Sequence, residues 1–443
     1  MVSVKAVEFV KMKEISEIIA LFFFLCLSAA GESLVFPPFL HSYGIRKATP
    51  NRLFLFFGPQ TFFDDPQGLA TARLKSWDDP KTENDDDEVV VYGVNSGRNE
   101  IIYNKSMWAL GLYGNKGKGT DQFLHPTGIA ADENGNVYVA DSGNNRIVRL
   151  FNPKSKLHWK GAFNGSSPGD PGLKGPSRVG IDEKVNIYVT DPGNRRLIVF
   201  DSAGNVLRII PGTKSGWKFV DGPTALAVAD GRARWSYYFD EKFIFCADRN
   251  GTRLWKIGFD GTLHALADMP AGHAAVYGAI DYFHNYWATD TRNHCVLKFD
   301  HRMRLLDIFG CYGDGDNQFI EPRGIAIFKR YGQTFIAEKK GAQYFWVGTS
   351  LKKASLVKKG ERSYSVFIKA TEYSQATLFS AVKTDTVTYF KRRWIPGDSA
   401  IIDFNVKEKN GIREQGLTLK LEPSYSSFSY NSWCYPMRVE QPK

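Results

Sequence analysis

Residues 126–151 of the chain read PTGIAADENGNVYVADSGNNRIVRLF, and this stretch decides the fold. A second copy, PSRVGIDEKVNIYVTDPGNRRLIVF, occupies residues 176–200, so Pro126 and Pro176 stand 50 positions apart. In each copy a short apolar run is followed by a polar turn, an alternating run and a second polar turn. This pattern is typical of short β-strands joined by tight turns.

Weaker copies of the same unit recur along the chain. They begin near Pro223, Ala275 and Pro322, and Val89 to Asn104 match the second half of the unit. The first unit would take its inner strand from around Gly68 to Leu74. A repeat that supplies four short strands is typical of a propeller blade, because one such sheet cannot bury both of its faces alone. The sequence therefore predicts an all-β chain.

The stretch GIAADENGNVYVADSGNNRIVRLF at residues 128–151 resembles a consensus NHL repeat. Members of that family form six-bladed β-propellers, and six units can be counted in this sequence. The resemblance implies a six-bladed NHL-type β-propeller over residues 60–355. Two ways of closing the ring stay open, since either Phe54 to Phe57 or a strand after Trp346 could complete a blade.

The turn between the second and third strands of the unit carries recurring polar residues. An Asp often leads this turn, and an Arg often follows five residues later. We expect the Asp to accept hydrogen bonds from turn amides, and the Arg to pair with a neighbouring carboxylate and join adjacent blades. A ring of charges open to a ligand is the functional alternative. The residues with the predicted structural role are Asp141, Arg146, Asp191, Arg196, Asp248, Arg253 and Asp290.

The N-terminal region resembles an export signal. Residues 18–30 read IIALFFFLCLSAA, an apolar run that is short for a membrane span but suits a secretory signal. We predict a signal peptide over residues 1–31 and an extended segment over residues 32–59, with a signal anchor as the alternative. The mature protein is then expected to be secreted, or periplasmic in the cell envelope, without a transmembrane span.

The repeat pattern stops after about Ser355. Alternating runs over residues 356–425 predict a small antiparallel β-sandwich, and residues 426–443 are left as a tail. The stretch that begins at Ile395 is similar in layout to the immunoglobulin-like module of flagellar hook-capping proteins. It lacks the Trp-Asp-Gly of that module, with Asp403-Phe404 near its place. The resemblance implies a spacer, docking unit or secretion tag.

The formal net charge of +10 admits nucleic-acid binding. However, the Lys and Arg residues are spread along the chain, and residues 85–88 form an acidic run. A charged, solvated surface explains this distribution better than a nucleic-acid site does. We therefore expect no nucleic-acid partner, and the RNA binding of cytoplasmic NHL proteins of animals remains only an alternative.

The sequence offers little support for metal or cofactor chemistry. It contains no HExxH or phosphate-binding glycine motif. His294 is the candidate metal ligand, because it stands in the turn where peptide-amidating lyases, which are propeller relatives, place zinc ligands. The matching positions of the other units do not support a converging set, so we predict neither metal nor cofactor. Cys295 and Cys311 fall on neighbouring predicted strands, where a disulfide bond or two separate thiols are the alternatives.

The loops between blades are the predicted binding surface, because loops on a rigid scaffold commonly carry function. Their aromatic and polar side chains suit a protein or carbohydrate partner. A propeller enzyme, either a metal-dependent lyase or a lactonase-like hydrolase, is the alternative to this binding and scaffold role. The candidate binding residues are Tyr113, Lys116, Phe123, His125, Lys214, Trp217, Tyr312, Asp314 and Phe319.

Overall fold

The computed structural model is built almost entirely of β-strands. It describes residues 33–35, 47–77, 89–106, 109–212, 216–407, 411–425 and 432–440. The predicted signal peptide over residues 1–31 lies outside these ranges. Among the described residues, the helices are all too short or too polar to cross a membrane.

The first half of the described chain contains one short helix and three four-stranded antiparallel sheets. In each sheet the strands are neighbours in chain order. The elements are β1 (Leu34–Val35), β2 (Lys47–Ala48), α1 (Pro50–Phe57), β3 (Pro66–Ala72), β4 (Val90–Asn95), β5 (Glu100–Ser106), β6 (Ala109–Tyr113), β7 (Asn115–Lys116), β8 (Gln122–Phe123), β9 (Pro126–Ala131), β10 (Asn136–Asp141), β11 (Arg146–Phe151), β12 (His158–Phe163), β13 (Val179–Ile181), β14 (Ile187–Asp191), β15 (Arg196–Phe200) and β16 (Val206–Ile210).

The next residues form two further four-stranded sheets and a third sheet that β1 and β2 complete. β7 pairs with β8, and β25 pairs with β26, as short parallel ladders in the loops between sheets. The strands are β17 (Pro223–Asp230), β18 (Lys242–Asp248), β19 (Arg253–Gly258), β20 (Leu263–Asp268), β21 (Tyr277–Ile280), β22 (Tyr286–Asp290), β23 (Cys295–Phe299), β24 (Leu305–Phe309), β25 (Cys311–Tyr312), β26 (Gln318–Phe319), β27 (Ile325–Phe328), β28 (Gln333–Glu338) and β29 (Gly341–Val347).

The sheets are arranged in a ring. β3 contacts β9, β9 contacts β13, β13 contacts β17, β17 contacts β21, β21 contacts β27, and β27 returns to contact β3. The first strands approach so closely that a Cβ atom on Gly128 would lie 2.6 Å from the Ser177 carbonyl oxygen. On Gly324 a Cβ atom would lie 2.2 Å from the Gln67 carbonyl oxygen. Glycine is therefore required at these two positions, where neighbouring inner strands meet.

Burial decreases from the middle of each sheet toward its outer edge. Every residue of β14 and of β22 is buried, because both faces of these strands are covered by neighbouring sheets. The outer strands β12 and β20 instead alternate between exposed and half-buried residues. This gradient is what stacked blades produce.

The ring closes differently from either expectation. β1 pairs with β29 through Leu34 and Val347, and β2 pairs with the same strand through Lys47 and Gln343. Phe54 to Phe57 lie in α1, which begins with the helix-favouring Pro50, and so do not supply a strand. The outer position of the last sheet is therefore filled by N-terminal residues, and both predicted closures were wrong.

Two four-stranded sheets follow the ring. They share one apolar core, in which Val366 and Leu378 are fully buried. Their strands begin before residue 356 and continue into the segment that was predicted to be a tail. One sheet has the order β34-β31-β30-β37 and the other β33-β32-β35-β36. The strands are β30 (Leu351–Lys358), β31 (Ser363–Ala370), β32 (Ser374–Val382), β33 (Asp385–Ile395), β34 (Ser399–Asn405), β35 (Leu417–Pro423), β36 (Trp433–Pro436) and β37 (Val439–Glu440).

Candidate functional site

Two loops between sheets have the same architecture. In each loop, an aromatic residue that was predicted to contact a partner packs into the core instead. Phe123 and Phe319 are both fully buried, so their predicted place on a binding surface was wrong. The ring of Phe123 packs where a Cβ on Gly114 would lie, and Phe319 does the same at Gly310. Each ring thus fixes its loop to the core from below.

Glutamine side chains brace the same two loops from within. The Gln122 side-chain oxygen accepts the Gly119 amide at 2.9 Å, and the Gln318 oxygen accepts the Gly315 amide at the same distance. The backbone around these glutamines is therefore held in place by contacts within the protein. Its conformation does not depend on a bound partner.

The polar members of the predicted set lie at the surface of these loops. Lys116, His125 and Asp314 are exposed, and Tyr312 is 67% exposed. Tyr312 packs edge-on against His294, with ring centroids 4.8 Å apart. These side chains are thus available to a partner molecule.

The remaining predicted binding residues are less accessible. Tyr113 is half-buried and donates its hydroxyl to Asp121. Trp217 is half-buried and stacks on Trp255 with centroids 5.5 Å apart. Lys214 lies outside the described residues.

In the second and third sheets, the turn Arg contacts both its own turn and a neighbouring loop. Arg146 Nε donates to Asp141 Oδ2 at 2.7 Å, and its Nη2 donates to the Gln122 carbonyl at 2.9 Å. In the third sheet, Arg196 donates to Asp191 at 2.8 Å and also to Asp170. Each guanidinium therefore joins its own turn to the loop that arrives from the preceding sheet.

The fourth sheet departs from this arrangement. Asp248 accepts the backbone amides of Thr252 and Arg253 at 2.8 Å and 3.2 Å. Arg253 instead pairs with Asp268 at 3.0 Å, in an exposed pair at the outer edge. Asp248 thus lies where it accepts turn amides, whereas Arg253 does not join its turn to an adjacent sheet as the repeat predicts.

The fifth sheet replaces the turn Arg with Cys295, and an imidazole takes over the contact. His273 Nδ1 lies 2.9 Å from Asp290 Oδ2, and Cys295 Sγ lies 3.8 Å from the same nitrogen. The three ligand atoms lie within 4.8 Å of one another, which is a donor set that suits a transition metal. However, Asp290 Oδ2 also accepts Asn293 Nδ2 at 2.7 Å. The cluster is thus explained as a substitute for the missing Arg.

Cys295 and Cys311 do not form a disulfide bond. Cys295 is 2% exposed against His273, whereas Cys311 lies beyond the end of β24 and contacts the Gln318 amide at 3.9 Å. The candidate ligand His294 is not part of the three-residue donor set. Its Nδ1 accepts the Glu321 amide at 3.0 Å.

The axis of the ring is filled by two large side chains. Arg178 and Tyr277 stand where other units have Gly128 and Gly324. The Arg178 guanidinium lies 3.4 Å from the centroid of the Tyr277 ring and donates to the Val276 carbonyl at 3.0 Å.

Hydrogen bonds from the Tyr277 hydroxyl connect these two side chains to other sheets of the ring. The hydroxyl donates to Gln67 Oε1 at 2.5 Å and lies 3.1 Å from the Thr127 carbonyl oxygen. Residues of four sheets thus meet at the axis, around a positive charge that would repel a cation.

A second polar cluster lies where the ring approaches the C-terminal sheets. Its centre is Glu241, which accepts His284 Nδ1 at 3.1 Å and His301 Nδ1 at 2.9 Å. His284 Nε2 lies 2.6 Å from Ser236 Oγ. The sequence analysis missed this cluster. Two signals were visible: the long connection between β17 and β18, and a His at the turn position that Gly135 occupies in the second sheet.

Ionic and aromatic contacts join the ring to the C-terminal sheets beside this cluster. The hydroxyl groups of Tyr238 and Tyr373 share a hydrogen bond, and Lys298 forms an ion pair with Glu372. The Tyr373 ring stacks on Phe283 with centroids 4.2 Å apart. The two parts of the chain therefore share a packed interface.

The comparisons with known proteins give one family match and several likenesses to solved structures. The family described as "NHL repeat" matches residues 123–150. A virginiamycin B lyase from Staphylococcus aureus, solved as an inactive variant with quinupristin, is 15% identical, with a TM-score of 0.40, and covers 59% of this chain and 78% of its own. A gluconolactonase from Xanthomonas campestris is 13% identical, with a TM-score of 0.45, and covers 64% of this chain and 87% of its own.

These likenesses concern the fold alone, and no curated protein matches the chain. The repeat match falls on the second sheet, whose turn network was described above. The chain thus carries an NHL repeat within a β-propeller fold.

Proposed function

We propose that this protein is an exported scaffold that binds a protein or carbohydrate partner through the loop face of a six-bladed propeller. One observation carries the proposal: two equivalent loops present the exposed side chains of Lys116, Tyr312 and Asp314 on buried supports. Both loops lead from the outer strand of one sheet to the inner strand of the next, which places them at the same end of the ring.

The chemistry of the exposed groups favours such partners. Tyr312 offers a broad ring beside His294, and aromatic faces combined with hydrogen-bonding groups are common at protein and sugar interfaces. Because the loops are already fixed by Phe123 and Phe319, little conformational entropy is lost when a partner binds.

The axis gives less support to a metal-dependent lyase or lactonase. A catalytic divalent cation needs converging carboxylate or imidazole ligands. The axis instead carries Arg178, whose guanidinium lies on Tyr277. The loop face is therefore the better candidate surface, and RNA binding gains no support from it because Lys118 has Asp314 as its counterpart in the equivalent loop.

Export and the C-terminal module belong to the same proposal. The apolar run at residues 18–30 favours secretion or a periplasmic place in the cell envelope. The two C-terminal sheets share one core, as the layers of an immunoglobulin-like sandwich do. We assign this sandwich a spacer or docking role. Sequencing the N-terminus of the protein recovered from outside the cytoplasm tests export, and a start near residue 32 is expected.

A binding experiment tests the loop face. The purified protein is screened against immobilised oligosaccharides and peptides, together with the double variant Lys116→Ala/Tyr312→Ala. The control variant Lys353→Ala/Ile401→Ala removes exposed side chains of the C-terminal sheets. We expect at least a tenfold loss of affinity in the first variant and none in the control. Equal binding by all three proteins would refute the assignment.

A further inference from the structure

The connection between β17 and β18 is longer than the corresponding turn of the second sheet. In the second sheet the corresponding turn spans residues 132–135, whereas here the chain runs over residues 231–241. This insertion passes across the edge of the fifth sheet, where the Tyr237 amide donates to the Tyr282 carbonyl at 2.9 Å. It thereby places Ser236 and Glu241 on either side of an imidazole from the next sheet.

That imidazole belongs to His284, which is fully buried. Its backbone has φ = 58°, in the left-handed region, at the turn position that Gly135 occupies in the second sheet. A His with this backbone is less common than Gly, and the turn brings its ring against Ser236 and Glu241. The turn thus holds a titratable ring where the fold itself needs none.

We propose that Ser236, His284 and Glu241 form a nucleophilic triad that hydrolyses a carboxylic ester. Ser236 Oγ lies 2.6 Å from His284 Nε2, and His284 Nδ1 lies 3.1 Å from Glu241 Oε2. These contacts give the nucleophile, base and orienting carboxylate the mutual geometry that acyl transfer requires. This activity goes beyond the binding function and uses a different surface.

A second imidazole keeps the carboxylate in place. His301 Nδ1 lies 2.9 Å from Glu241 Oε1, and the Tyr238 ring stacks on His301 with centroids 4.3 Å apart. Although burial raises the pKa of Glu241, hydrogen bonds from the two imidazoles outweigh it and lower that pKa to about 2. The orienting group is therefore ionised at neutral pH.

The base has the protonation state that the reaction needs. Burial lowers the pKa of His284, and the hydrogen bond to Glu241 only partly raises it again. The ring is thus neutral, with its proton on Nδ1 toward Glu241 and a free lone pair on Nε2 toward Ser236. The charge of Lys329 also acts on this ring and disfavours its protonated form.

The proposed reaction proceeds in two balanced halves. Ser236 Oγ attacks the ester carbonyl carbon as its proton passes to His284 Nε2, and the leaving alcohol takes that proton when its C–O bond breaks. Water then attacks the acyl-serine and gives its proton to Nε2. The bond between the acyl carbon and Ser236 Oγ breaks, the proton passes from Nε2 to Oγ, and a carboxylic acid is released.

Aromatic side chains around the nucleophile indicate the substrate class. Tyr237 is 45% exposed, Phe239 is 67% exposed and Trp394 is 47% exposed. The Tyr237 and Trp394 rings lie nearly parallel, with centroids 6.4 Å apart. Such surfaces bind flat or apolar groups. The expected substrates are therefore esters with an aromatic or apolar acyl or alcohol group.

Labelling with a fluorophosphonate tests the nucleophile directly. We expect one phosphonate adduct per chain, located at Ser236 by peptide mass spectrometry, and none in Ser236→Ala. Ser202→Ala is the matched control, because Ser202 is exposed and far from the cluster in sequence, and it should label normally. An unlabelled wild type, or undiminished labelling of Ser236→Ala, overturns the proposal.

Hydrolysis of p-nitrophenyl butyrate by the full-length protein tests the base and the carboxylate. We expect kcat/KM to fall roughly a thousandfold in Ser236→Ala, and to fall also in the conservative variant Glu241→Gln, with unchanged circular dichroism and melting temperature. The pH profile of the wild type should rise with a midpoint below 6.5, the ordinary value for His. A rate that survives Ser236→Ala, or one abolished by EDTA, overturns the triad. Neither result bears on partner binding by the loop face.

Discussion

Lys298 and Glu372 form an ion pair whose side chains are only 2% and 0% exposed. Lys298 lies on β23 of the fifth sheet, and Glu372 lies between β31 and β32 in the C-terminal sheets. The ammonium also lies 4.6 Å from the centroid of the Trp287 ring. The pair therefore joins the ring to the C-terminal sheets through an interface that water does not reach.

Removing one partner of this pair should destabilise the protein strongly. Lys298→Met leaves the Glu372 carboxylate buried without its cation, and we expect the free energy of unfolding at pH 8 to fall by about 3–5 kcal/mol. Denaturant unfolding measures this change. Lys359→Met is the matched control, because its pair with Asp403 is exposed at 54% and 66%, and breaking it should cost less than about 1 kcal/mol. Equal losses would contradict the interpretation.

The same interface should make stability depend on pH. Burial raises the pKa of Glu372 from 4.5 to about 7, against the opposing effect of Lys298. Between these two values the folded protein holds a proton that the unfolded chain releases, so stability should decrease as pH rises from 4.5 to 7.

Unfolding measurements across this window check the expectation. The variant Glu372→Gln cannot titrate at this position and should show a flatter profile than the wild type. A wild-type profile that Glu372→Gln leaves unaltered over the same window would argue against a proton on Glu372.

The glycines at the inner strands give a third prediction. In Gly128→Ala the new Cβ would lie 2.6 Å from the Ser177 carbonyl oxygen, which belongs to backbone and can move little. We expect a loss of roughly 1–3 kcal/mol, as for overpacking in a core. Gly360→Ala is the control, since its nearest neighbour would be the Ser363 Cβ at 3.6 Å. Comparable melting temperatures of the two variants would show that the close approach is not required.

The imidazole that replaces an Arg in the fifth sheet gives a fourth prediction. His273→Ala removes a hydrogen bond from the buried Asp290 carboxylate, and we expect a loss of about 1–3 kcal/mol. Adding Cys295→Arg should restore part of it, because Arg146 occupies the same turn position and bonds Asp141. Thermal unfolding of the single and double variants measures the rescue. A double variant that is less stable than His273→Ala would contradict the interpretation that His273 takes the place of the missing Arg.

Local chemistry was predictable because each repeat carries its own turn residues. Asp141 and Arg146 lie five positions apart in one turn, and the structure pairs them within that turn. The fifth sheet breaks the rule, since Cys295 stands at the Arg position and His273 arrives from a loop far from it in sequence. A repeat alignment shows such a substitution but does not show which residue compensates for it.

Exposure in the loops was less predictable. Phe123 and Phe319 stand in glycine-rich, polar stretches that indicate a surface, yet both rings are buried. The reason is that Gly114 and Gly310, with φ near 99° and 93°, leave space for a ring beneath each loop. Whether an aromatic side chain in a loop is buried or exposed therefore depends on the backbone that packs against it.

By itself the sequence determined the strand pattern, the roughly fifty-residue repeat and the turn chemistry, because these depend on neighbours a few positions away. The tertiary structure decided how the ring closes, through Leu34 and Val347, and which distant side chains meet at its ends. Ser236 and His284 are 48 positions apart, and only the stacking of one sheet on the next brings them into contact. Long-range contacts of this kind leave no period in the sequence.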